Sequence, residues 1–227
     1  MSFWGQLGFQ DSYSGLSSEL TFFHDHAMFV LVLVSSFVGY MMMCLLKSSL
    51  SSRFIMEAQA LEAAWTVVPG LLLLILAIPS VRLLYLLDEV GGPVVSMKVI
   101  GHQWYWEYEY GDGNDVIGFD SYMVNSAEMG EDGYRLLEVD NRCVLPYGVD
   151  GHVLVSSADV IHAWALPSLG VKVDAIPGRI NQLGVHLVKS GVMFGQCSEI
   201  CGVNHSFMPI SVEGVSPEVF YHWLMGW

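Results

Sequence analysis

Two runs of this chain carry no charge and are long enough to cross a bilayer. Residues 27–46 read AMFVLVLVSSFVGYMMMCLL and residues 63–81 read AAWTVVPGLLLLILAIPSV. A helix of about 20 apolar residues rises about 30 Å, the thickness of the hydrocarbon layer. One such run can be the buried helix of a soluble protein. Two in close succession predict a membrane hairpin, its helices covering about residues 27–46 and 63–87. Pro69 and Pro79 fall inside the second run, where a bilayer helix tolerates them better than a soluble one. Tyr40, Trp65 and Tyr85 lie towards the ends of the runs, as interface anchors do. No Lys or Arg precedes the first run, whereas Lys47 and Arg53 follow it. The positive-inside rule therefore puts the connecting loop inside and both termini outside. The opening residues lack the basic and apolar regions of a signal or transit peptide. The chain is thus expected to be made inside its final compartment and to export its C-terminal part. Glu62, at the inner mouth of the second run, is a functional candidate because carboxylates at a membrane edge often are; Glu57 is a weaker one.

The rest of the chain is different in kind. From residue 88 onward, eighteen Asp and Glu stand against six Lys and Arg, and the whole chain has a formal net charge of -14. Nucleic acid is excluded as a partner, since phosphate binding needs clustered basic residues. An acidic surface attracts cationic proteins and speeds their encounter. Residues 94–100, 135–139, 151–156, 171–175, 185–187 and 209–215 are rich in Val, Ile and Leu between Gly, Pro, Asn and Asp turns. They predict short strands of a β-sandwich or barrel. A short helix is expected near 217–224.

The chemistry is concentrated in GQCSEICGVNHSFM, residues 195–208, with His162 thirty-five positions before Cys197. Cys197, Cys201, His205, Met208 and His162 make a soft donor set, suited to copper or zinc and not to hard cations. Zinc would take the thiolates and imidazoles and need no thioether. A Cys197–Cys201 disulfide would make the nearby His and Met coincidental. A single blue-copper ion would leave one Cys over, and that surplus thiolate points to two copper ions sharing both sulfurs. These readings remain open on spacing alone. Cys44 and Cys143 have no such neighbours and read as packing. The aromatic run Trp104, Tyr105, Trp106, taken alone, also reads as packing.

CSEICGVNHSFM closely resembles the dinuclear copper loop of the cytochrome c oxidase subunit 2 family. GHQWYWEYEY at 101–110, LLEVDNR at 136–142, SLGVKVDAIPGRINQ at 168–182 and LGFQD at 7–11 are similar to that family as well. The resemblance implies a membrane-anchored, all-β protein: a two-helix hairpin within residues 1–90, then a cupredoxin-like β-sandwich over 91–227. It implies copper bound by His162, Cys197, Cys201, His205 and Met208 through side chains and by Glu199 through its carbonyl, with the Glu199 carboxylate on a magnesium ion shared with subunit 1. It further implies electron transfer from cytochrome c through Trp104 and past His205 to subunit 1, where oxygen is reduced to water with proton pumping, and a proton path starting at Glu62. The implied partners are cytochrome c, the other oxidase subunits and membrane lipid; the implied location is the mitochondrial inner membrane, with the C-terminal domain in the intermembrane space. Glu109, Asp112, Asp115, Asp120, Asp140 and Asp159 are the candidate docking acids. The related quinol oxidases lack the copper ligands, and a membrane-tethered metal-binding module without turnover is the alternative of another class.

Overall fold

The structure is a computed structural model describing residues 4–111, 116–130 and 133–226. It divides into two compact units, Glu19–Leu87 and Met1–Ser18 with Asp88–Trp227.

Helix α1 spans Gly15–Lys47 and helix α2 spans Gln59–Asp88. Both are long and apolar enough to cross a membrane. Each is longer than its uncharged run: α1 begins twelve residues early, taking in Glu19, His24, Asp25 and His26. Backbone hydrogen bonding continues past the apolar stretch because helix formation is cooperative once nucleated. Pro69 and Pro79 both lie within α2. Glu19 meets Arg82 across the two helices at 3.6 Å, an exposed pair that contributes little by itself.

The second unit is a β-sandwich. Its strands are β1 Val95–His102, β2 Tyr105–Tyr110, β3 Ile117–Ser121, β4 Cys143–Pro146, β5 Asp150–Ser157, β6 His162–Leu166, β7 Val171–Ala175, β8 Asn181–His186, β9 Gly191–Gln196 and β10 Pro209–Val215. They form a five-stranded sheet in the order β3-β2-β1-β5-β8, a three-stranded sheet β4-β10-β9 and the pair β6-β7. Strands β1 and β5 run parallel, as do β4 and β10. In β1 and β2 alternate residues turn inward: Met97, Val99 and Gly101 from one, Trp106, Tyr108 and Tyr110 from the other. This is the two-residue period of a half-buried strand. All five residues of β6 are buried, because that strand is covered on both faces.

The strand expected over 135–139 is not one. Residues 135–137 turn, Leu136 adopts a φ of +65°, and pairing is limited to a bridge between Met123 and Val139. Apolar content without a neighbouring strand to complete a ladder does not make a strand. The expected helix forms as α3, Pro217–Met225, where Ser216 caps the N–H of Val219 and Pro217 opens the first turn. Its Phe220 is buried and Trp223 stands edge-on to Tyr110.

The segment before α1 belongs to this unit. Tyr13 donates its N–H to the Ser168 carbonyl and accepts from Val188 N–H, each at 2.9 Å. Ser14 Oγ donates to the Leu169 carbonyl at 2.7 Å and accepts from Ser17 N–H, capping α1. Lys189 lies over the Tyr13 ring.

Candidate metal centre

Strands β9 and β10 are antiparallel neighbours, and the loop joining them holds Cys197, Glu199, Cys201 and a short turn at His205–Phe207. Met208 closes the loop just before β10. Strand β6 runs alongside, so its first residue, His162, meets the loop: Ser198 N–H donates to the Ala163 carbonyl at 3.1 Å. Two glycines permit this approach. A Cβ on Gly195 would overlap the Ala165 carbonyl, and one on Gly101 would come within 2.8 Å of the His162 ring.

The donor atoms expected from the sequence converge. Cys197 Sγ lies 3.9 Å from His162 Nδ1 and 4.0 Å from Cys201 Sγ. Cys201 Sγ lies 3.4 Å from His205 Nδ1 and 3.5 Å from Met208 Sδ. Two sulfurs thus sit between two imidazoles, with a thioether at one side. Both cysteines are free, and a separation of 4.0 Å is about twice the ~2.05 Å of an S–S bond. The disulfide reading therefore fails in this structure. His162, Cys197, Cys201 and Met208 are buried, while Glu199 and His205 are half-buried. The Glu199 carbonyl lies 3.3 Å from Cys197 Sγ. Thiolates, imidazoles and a thioether in a water-poor pocket fit a copper centre.

His162 presents Nδ1 to the sulfurs because its other nitrogen is engaged. Nε2 meets Asp159 Oδ1 at 2.8 Å, the carboxylate–histidine arrangement that fixes tautomer and ring orientation. Burial pushes the His162 imidazole down, but Cys197 and Asp159 outweigh it and raise its pKa. Burial likewise pushes Asp159 up, and hydrogen bonds from His162 and from the N–H groups of Val160 and Gln103 bring it below the ordinary carboxylate range. The thiols separate. Against burial, His162 and backbone contacts bring Cys197 down to about 7, whereas burial and then its neighbour Cys197 push Cys201 up to about 12.

Trp104 is half-buried at the turn between β1 and β2, and its indole N–H donates to the Cys201 carbonyl at 3.3 Å. Both tryptophans of the run touch the site: Trp106, fully buried, donates its indole N–H to the Met208 carbonyl at 3.3 Å and stands edge-on to the His162 ring, while Trp104 meets the Cys201 carbonyl. Asp159, a candidate docking charge, is exposed and also supports His162. Glu109 is paired with Lys98 at 2.7 Å, whereas Asp120 and Asp140 are exposed; Asp112 and Asp115 lie outside the described residues. Glu62 sits in the first turn of α2 and is exposed. Cys143 is buried in the core beside Tyr110 and Met97. Sequence reasoning missed Gly101, Gln103 and Gly202, all of which border the candidate donor residues, because the need for them arises only when distant segments meet.

Similarity to known proteins agrees with this geometry. The sequence pattern described as cytochrome c oxidase subunit II, periplasmic domain, matches residues 95–215, and that of the subunit II transmembrane domain matches residues 2–83. Cytochrome c oxidase subunit 2 of Drosophila subobscura and that of Drosophila bifasciata are each 53% identical over 224 residues, covering 99% of this chain and 97% of theirs. The crystal structure of the periplasmic domain of subunit II of cytochrome oxidase (CoxB) of Bradyrhizobium japonicum is 43% identical with a TM-score of 0.56, covering 61% of this chain and 96% of that one. Anchor, cupredoxin-like sandwich and cysteine loop are thus shared over nearly the whole length, and the chain belongs to the cytochrome c oxidase subunit II family.

Proposed function

We propose that this chain is the copper subunit of a terminal oxidase, receiving electrons from cytochrome c and handing them to subunit 1, where oxygen is reduced to water and protons are pumped. The observation that carries the reading is the pair of free, buried thiols flanked by two Nδ1 atoms and a thioether. A pair of copper ions held there supplies a one-electron redox site whose ligand softness matches this donor set.

The chain's own residues do the rest. His162, Cys197, Cys201, His205 and Met208 bind through side chains, and Glu199 through its carbonyl. Asp159 holds the His162 ring, so the ligand frame changes little between oxidation states. Trp104 is where electrons enter, its indole N–H giving a direct link to the Cys201 carbonyl. His205, the more exposed imidazole, faces the exit towards subunit 1. The Glu199 carboxylate is a hard donor suited to magnesium shared with subunit 1. Exposed acids around Trp104 guide the basic partner by long-range attraction. Glu62 marks the start of a proton path. The two helices within residues 1–90 provide the anchor in membrane lipid, and residues 91–227, joined by the segment before α1, form the outer domain, which in mitochondria places the copper site in the intermembrane space.

The test is metal content. The full chain in its assembled oxidase should hold two copper ions per chain and show a mixed-valence spectrum with one unpaired electron shared over both. A colourless protein holding zinc alone would refute the reading and make the chain a tethered metal-binding module.

A further inference from the structure

We infer that Gln103 is a positioning residue for the metal centre, joining the support of His162 to the main chain of Cys201. The inference rests on the copper reading above. Gln103 sits in the turn between β1 and β2, whose register is held by the pairing of His102 with Tyr105. From this base it spends two donors on two distant segments. Its backbone N–H donates to Asp159 Oδ2 at 2.6 Å, while Asp159 Oδ1 takes the His162 ring at 2.8 Å. Its side-chain amide donates to the Cys201 carbonyl at 2.7 Å, closer than the 3.3 Å of the Trp104 indole to the same oxygen.

The site is shaped for that amide. Gly202 has a φ of +127°, and a Cβ there would lie 3.2 Å from Gln103 Nε2 and 3.1 Å from Trp104 Cζ2. Only glycine combines that backbone conformation with room for both side chains. Gln103 is exposed, so water is an alternative partner for its amide, yet the amide is turned onto the ligand loop. One residue therefore ties together ligands from β6 and from the β9–β10 loop, and it also steadies the carbonyl that Trp104 touches.

Gln103→Leu removes the side-chain donor and leaves the backbone one. Gln103→Glu keeps the shape and presents an acceptor to the carbonyl. Each is made in the full chain and compared with wild type in three measurements. Copper retention against a chelator should weaken about tenfold, the lower end of what loss of an outer ligand support costs, and the mixed-valence spectrum should shift. In the metal-free chain in detergent, amide hydrogen exchange over residues 199–205 should accelerate, because a loop held by fewer contacts opens more often. The thermal midpoint of the metal-free chain should not move, since the residue is exposed. Wild-type exchange over residues 199–205 in both variants would overturn the inference, whatever the copper retention. Copper content of the wild-type protein, measured alongside, bears on the copper reading, while the exchange result decides the role of Gln103 whatever metal is found.

Discussion

Replacing Gly101 by alanine tests the geometry of the centre from underneath. The added Cβ would lie 2.8 Å from His162 Cδ2, 3.0 Å from Cγ and 3.1 Å from Cβ, whereas ordinary contact begins at 3.4 Å. The ring must therefore retreat by about 0.6 Å, the difference between 3.4 and 2.8 Å, about three times the ±0.2 Å within which metal–ligand distances hold. It has nowhere easy to go. His162 is fully buried, its ring stands edge-on to Trp106 with centroids 5.9 Å apart, and its Nε2 is tied to Asp159. Overpacking of this kind costs about 1–3 kcal/mol. At about 2–4 °C per kcal/mol for a domain of this size, the metal-free chain should lose roughly 2–12 °C in its thermal midpoint. Copper retention should fall by about tenfold or more, read as the copper-to-chain ratio after dialysis against a chelator. Gly118→Ala is the control, because its Cβ would meet nothing closer than 3.8 Å. Full copper loading with an unaltered spectrum in Gly101→Ala would refute the claim that His162 is clamped against β1.

Trp104→Ala should slow electron uptake from reduced cytochrome c in stopped-flow while copper content stays at two per chain; unaltered uptake would remove Trp104 from the route. Raising ionic strength above about 0.15 M, where the screening length falls below about 8 Å, should slow the same reaction, and indifference to salt would count against acidic docking. In the metal-free chain Cys197 is depressed to about 7 from 9.0, so its contribution to stability is full above pH 9 and is lost as pH falls through about 7. Cys201 is raised to about 12 from 9.0, so its contribution is full below pH 9 and lost as pH rises towards 12. Urea midpoints should therefore climb from pH 7 to 9 and decline beyond, with the climb absent in Cys197→Ser; a climb that persists in that variant would assign the effect to other groups. Gly195→Ala, which sets a methyl into the Ala165 carbonyl, should cost at least the top of the about 1–3 kcal/mol overpacking range, seen as loss of folded, copper-retaining protein.

The candidate donor set was legible because donors close together in sequence announce themselves: four of the five proposed side-chain ligands fall between residues 197 and 208. His162 joins them only through β6, and its support by Asp159 shows nothing in sequence beyond a three-residue spacing that many pairs share. The membrane helices were legible from hydrophobicity, but their ends were not, since polar residues extend a helix once the ladder has formed. Strands β7 and β10 were found at their full extent. Strand β2 was missed although YWEYEY alternates inward and outward, because it holds none of the Val, Ile or Leu by which the other strands were recognised. Strands β6 and β4 are buried at every residue, so they carry no period to find. Strand β9 contains two glycines, whose value is the close passage of another chain segment and cannot be seen one strand at a time.

The hydrogen bonds of Tyr13 and Ser14 to residues 168, 169 and 188 make one folded body out of polypeptide from before the first helix and after the second. Parts that fold into one body must lie in one aqueous space, so the intervening stretch traverses the bilayer an even number of times. That parity argument owes nothing to Lys47 or Arg53. It also sets an order for biogenesis: the sandwich cannot be finished until the leading segment has been moved to the same face as the trailing one.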